Sequence, residues 1–185
     1  MSAVISHMAR DAGLELRLAL MIVPSTDFRW LIAPEPVRAE VAKQYPSTVL
    51  YRDAPWGGLK REQWFLDYWI PTGMSQKFIV LDREINPVAE IRTAASVDWM
   101  ASPILAKSFR DLPPTHIITA EFDICRDEAH RYGELLARNG NKVTQKCYSG
   151  MPHAFGHYIH PKKGLAKSRE YLIDTCKVLK QAHGV

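Results

Sequence analysis

The stretch Leu112-Pro113-Pro114-Thr115-His116-Ile117-Ile118-Thr119-Ala120-Glu121-Phe122-Asp123-Ile124-Cys125-Arg126-Asp127-Glu128 decides the fold. Two prolines are followed by a short run of β-branched and apolar residues, His116 to Phe122, which predicts a strand. Acidic and basic residues then open an amphipathic helix from Asp127 to Asn139. It places Ala129, Tyr132, Leu135 and Leu136 on one face, and Gly140 stops it. Downstream, Lys142 to Tyr148 alternates with period two and predicts a second strand with one wet face, near a sheet edge. A closing helix from Lys163 to Ala182 is expected to turn Tyr171, Leu172, Thr175, Val178 and Leu179 inward. Upstream, Leu16 to Val23 is an almost unbroken apolar run stopped by Pro24, as in a parallel strand buried on both faces. Before it, Met1 to Asp11 has helical composition, and Gly13 supplies the left-handed stop. Strand, strand, helix, strand, helix in this order implies an α/β fold with parallel strands.

The segment from Pro24 to Pro114 is too long for a simple connection between strands. It predicts a short helix over Val37 to Gln44 and a stronger one over Lys60 to Ile70, with Trp64, Phe65, Tyr68 and Trp69 at helical spacing and Pro71 as its stop. These aromatics fit either a cap or pocket wall, or a small core belonging to the insertion itself. The whole chain of 185 residues is expected to be one α/β domain interrupted by this insertion over 24–114.

With 46% apolar and 24% charged residues and a formal charge of only +4, the composition is that of an ordinary globular domain. Scattered Lys and Arg give no concentrated basic face, which argues against a nucleic-acid partner. No segment is apolar for long enough to span a membrane. Polar residues from Arg10 to Arg17 break up any signal-peptide pattern, so a cytoplasmic location is expected. Cys125, Cys147 and Cys176 are odd in number, widely spaced and set among apolar residues. They are expected to be small core residues and neither a disulfide framework nor a zinc motif.

Two loops follow strands directly: Glu121 to Glu128, and Ser149-Gly150-Met151-Pro152-His153-Ala154-Phe155. In a parallel sheet the carboxyl ends of the strands share one edge, where sites assemble. Asp123 and His153 can therefore meet there, the carboxylate holding one imidazole nitrogen and favouring the imidazolium.

Leu112 to Asp123 with Arg126-Asp127-Glu128, and Gly150 to Phe155, resemble the end of a hormone-sensitive-lipase-like esterase of the α/β-hydrolase superfamily. Pro24-Ser25-Thr26-Asp27 and Ala101-Ser102-Pro103-Ile104 are similar to further landmarks of that family. The resemblance implies Asp123 as triad acid and His153 as triad base, with Asp127 and Glu128 structural at the positive end of the following helix. It implies a small-molecule ester as substrate of complete relatives, and neither a metal nor an organic cofactor. The family also carries a GxSxG elbow and an HGG-type oxyanion loop upstream. Neither is found here, and Ser2 to Ala9 resembles the helix just past the elbow. Gly73-Met74-Ser75-Gln76 lacks the second glycine and follows no strand, Ser149 in the histidine loop is wrongly placed to attack, and Ser25 stands where the family has a structural position. The expectation is an incomplete α/β-hydrolase domain that retains acid and base and is inactive as this chain. The alternative is a non-catalytic binding protein derived from an esterase, and a third reading is acid–base chemistry by Asp123 and His153 alone. Removal of earlier strands would leave residues 16–23 as an open apolar edge, prone to self-association. The remaining histidines, His7, His116, His130, His157, His160 and His183, match no ligand spacing and read as packing or surface residues.

Overall fold

A computed structural model describes residues 1–69 and 95–185. Three parallel strands form one sheet in the order β1 (Ala19–Ile22), β2 (Thr115–Phe122), β3 (Val143–Pro152). The central strand β2 carries the hydrophobic core, with Ile117, Ile118 and Ala120 wholly buried between layers on its two faces. On one face, α1 (Ser2–Asp11) and α6 (Arg126–Arg138) pack Ala3, Ala129, Tyr132 and Leu136 against Met21 and Ile117. On the other, α7 (Ala166–His183) brings Tyr171 against Ile118, Tyr148 and Phe155. The expected α/β architecture with parallel strands and flanking helices is present, reduced to three strands among the described residues.

Helices fill the first part of the insertion: α2 (Arg29–Ile32), α3 (Val37–Lys43), α4 (Ser47–Leu50) and α5 (Leu59–Trp69). Trp30, Leu31, Val41, Tyr45 and Leu66 form an apolar cluster closed by Ile124 and Cys125, just beyond β2. This first part of the insertion is thereby docked on the carboxyl end of the sheet. Trp64 and Phe65, expected to line a cap or a core, lie exposed and stack edge-on against each other. The last residue of the expected helix 60–70, its stop at Pro71 and the Gly73 to Gln76 stretch lie outside the described residues.

Other expectations need correction. β1 is shorter than residues 16–23 and buries one face only, through Ala19 and Met21, while Ile22 is exposed. It is an end strand with no neighbour beyond it among the described residues, and Leu20 on its other face is partly buried against the cluster of Ile118, Tyr148 and Phe155. Lys142 to Tyr148 does not alternate cleanly in burial, although β3 is an end strand as expected. Leu172 and Leu179 of α7 point outward, and only Thr175 of the expected inward set is fully buried. Of the three cysteines only Cys125 is a core residue, since Cys147 and Cys176 are exposed.

Asp127 and Glu128 are structural, but they reach across to the insertion and make no cap for their own helix. The Asp127 carboxylate accepts the Ser47 backbone N–H at 2.7 Å and the Arg126 side chain at 2.8 Å. The wholly buried Glu128 accepts from Ser25 Oγ at 2.9 Å, the Asp27 backbone N–H at 2.7 Å and Trp30 Nε1 at 3.3 Å. Burial, with the Asp27 carboxylate nearby, pushes the Glu128 carboxyl well above its usual range. Asp27 is itself matched by Arg29 at 2.6 Å and by the Tyr45 hydroxyl at 2.8 Å. This network fastens the exit of β1 to the start of α6 and seats Ser25 as a structural hydroxyl.

His7 is core, not surface. Its Nε2 lies 3.0 Å from the Tyr132 hydroxyl, and its ring meets Trp99 and Phe109 edge-on. Burial, with the Arg10 charge, lowers its pKa from 6.5 to about 4. Between these values the unfolded chain binds a proton that the folded one does not. The neutral ring's contribution is therefore complete above pH 6.5 and is lost as pH falls toward 4. The loss is expected to reach about 3 kcal/mol. Unfolding free energies from urea titrations at pH 7 to 4 should diverge from those of His7→Gln by this amount, and parallel curves would refute it.

Candidate active site

The sheet register puts the acid and the base side by side. Phe122 of β2 pairs with Pro152 of β3, and each strand ends there, so Asp123 and His153 are the next residue on adjacent strands. Pairing is regular up to Ala120 and Tyr148. Two steps along β2, to Phe122, are then matched by four along β3, to Pro152. The extra residues form a bulge, which bends a strand and re-aims its side chains. Glu121 fills the bend by accepting from Ser149 Oγ and the Gly150 N–H, both at 2.6 Å, and Gly150 takes a left-handed φ of +75°. Just past His153, Ala154 is also left-handed and turns the chain into a 3-10 turn at Phe155–His157.

His153 Nδ1 lies 2.9 Å from Asp123 Oδ2. Asp123 is 1% exposed, and its other oxygen accepts the Cys125 backbone N–H at 2.9 Å, which fixes the carboxylate plane. Both residues singled out from the sequence are thus brought together. A neutral imidazole held this way donates from Nδ1 to the carboxylate and presents Nε2 as acceptor, the tautomer a general base requires.

Several neighbours carried no signal in the sequence. Gly57 has φ +82°, and a Cβ there would sit 2.4 Å from the Cβ of His153. The insertion backbone therefore presses directly on the base. Gly57→Ala is expected to displace the imidazole and lower any turnover through it by about 100-fold, since misplacement of about 1 Å has that cost. Unchanged turnover in this variant would show that the contact does not position the base. Glu62 of α5 is buried on the same side, and one ligand atom each from Glu62, Cys125 and His153 lie within 4.8 Å of one another. Burial and the Asp123 charge raise the Glu62 carboxyl, while His153 and Arg61 pull it down. Burial pushes the Cys125 thiol well up, and Glu62, Glu128 and Asp123 add to the effect. A cavity of about 600 Å³ opens beside the base, bordered by Trp56, Gly57, Arg61, Ala154 and His157.

The serine hydroxyls near the sheet end serve the scaffold. Ser25 Oγ donates to Glu128, Ser47 Oγ to the Ile124 carbonyl, Ser149 Oγ to Glu121 and Ser168 Oγ to the Phe155 carbonyl. His116 and His130 pair with Thr144 and Thr119, in keeping with packing roles.

A family model described as alpha/beta hydrolase fold matches residues 1–157. The chain belongs to the α/β-hydrolase family. It is 37% identical over 70 residues to lipase 2 of Moraxella sp., covering 38% of this chain and 16% of that protein. It is 31% identical over 78 residues to arylacetamide deacetylase of Bos taurus, covering 41% of this chain and 20% of that enzyme. Among solved structures, vibralactone cyclase superposes with a TM-score of 0.71 at 25% identity, covering 98% of this chain and 45% of that one. This α/β-hydrolase chain is esterase-like, and it spans less than half the length of these relatives. No helix among its described residues is long and apolar enough to cross a membrane.

Proposed function

We propose that Asp123 and His153 are the acid and base of a serine-type carboxylic ester hydrolase. The observation that carries this is the 2.9 Å contact between Nδ1 and Oδ2 at neighbouring strand ends. In this reading His153 Nε2 removes a proton from a serine hydroxyl as it attacks the ester carbonyl. It then returns that proton to the leaving alcohol, while Asp123 steadies the imidazolium. The insertion over 24–114 acts as cap and pocket wall, through the cavity around Trp56 and Arg61. The related lipase supports an ester as substrate.

The hydroxyls of Ser25, Ser47, Ser149 and Ser168 are bound elsewhere, so residues 1–185 alone are proposed to be inactive. The same reading expects association of this chain along the open edge of β1. The test compares hydrolysis of a short-chain nitrophenyl ester by residues 1–185 and by a polypeptide extended with any in-frame upstream sequence that carries GxSxG and HGG motifs. Turnover is expected only in the extended form. Turnover by residues 1–185 that disappears in His153→Ala would overturn the proposed inactivity. An extended form that folds and binds ester without cleaving it would favour the binding-protein alternative.

A further inference from the structure

Three side chains from separate segments converge beside the base: Glu62 from α5, Cys125 before α6 and His153 after β3. We propose that they form a binding site for a thiophilic divalent cation, with Zn²⁺ the best chemical match. A thiolate, an imidazole nitrogen and a carboxylate are the donor types zinc takes, and three protein ligands leave a fourth position for water. The ligand atoms already lie within 4.8 Å of one another, so small side-chain rotations bring all three onto one ion.

A further observation points to a cation. Asp123 holds Nδ1 of His153 and leaves Nε2 to bind a metal, the carboxylate–histidine arrangement that orients zinc-bound imidazoles. Entry is from the His153 side, since its side chain is 13% exposed and Cys125 is fully covered. On binding, the Cys125 S–H bond breaks, its proton passes to solvent, and the sulfur pair forms the metal bond. Nothing is oxidised or reduced. An occupied site would also take His153 out of proton transfer.

The test is titration of chelator-treated protein of residues 1–185 with Co²⁺. A sulfur-to-cobalt charge-transfer band with the visible bands of a tetrahedral ion is expected, saturating at one equivalent and displaced by Zn²⁺. Cys125→Ser should abolish the charge-transfer band, whereas the double variant Cys147→Ser with Cys176→Ser should retain it. Asp123→Asn should weaken binding about 10- to 100-fold. If Cys125→Ser fails to fold by circular dichroism, Glu62→Gln provides the second arm, with binding at least about 10-fold weaker. A folded chain without the band, or a band lost only with Cys147 and Cys176, overturns the site. Because the readout is spectroscopic, its failure leaves the ester-hydrolase reading standing, and the reverse also holds.

Discussion

If an upstream extension supplies the proposed serine, His153→Ala in that extended polypeptide is expected to lower kcat for a short-chain nitrophenyl ester by roughly four to six orders of magnitude, with KM little changed. A base acts in the transition state and contributes little to ground-state binding, so its loss falls on kcat. The residual rate would come from binding and oxyanion donors alone. Asp123→Asn should cost roughly 10⁴-fold for a different reason. An amide in place of the carboxylate that faces Nδ1 at 2.9 Å would favour the wrong tautomer. The two losses should not add, because both disable one proton relay. Steady-state kinetics on the single and double variants would decide the matter. A His153→Ala enzyme within tenfold of the parent would remove His153 from the chemistry.

Glu128→Ala should have the largest effect on folding, a loss of about 4 kcal/mol in urea denaturation. The carboxyl is wholly buried and accepts three hydrogen bonds, from Ser25, Asp27 and Trp30. Alanine leaves those donors without a partner in a dry interior, at about 1–3 kcal/mol each before relaxation. It also opens a void at the seam between β1 and α6. Glu128→Gln keeps the volume and one acceptor oxygen and should cost less, about 1–2 kcal/mol. If the alanine variant were no less stable than the glutamine variant, the network would not be what joins the insertion to the sheet.

Much of this arrangement is legible in the sequence, and the reason is local. His116 to Phe122 reads as a strand because its β-branched and apolar residues occupy the central position and are mostly buried on both faces. Asp123 and His153 could be paired because parallel strands discharge their following residues at a common edge. β1 misled for the opposite reason: its run of apolar residues reads as two-sided burial, yet as an end strand it buries only Ala19 and Met21. Leu172 and Leu179 misled similarly, since helical periodicity marks an apolar stripe and says nothing of whether a neighbour covers it. Gly57, Glu62 and Cys125 were not legible as site residues. They come from segments far apart in the chain, and no spacing encodes their meeting.

The contact between Gly57 and the backbone side of His153 has a consequence for grafting. Chimeras that import an insertion from a related esterase would replace the surface on which the imidazole leans. Any donor segment bringing a side chain to that spot would dislodge the imidazole, however well its pocket suited the new ester. Successful exchanges should therefore carry the Trp56-Gly57-Gly58 corner intact, with crossover points on either side of it.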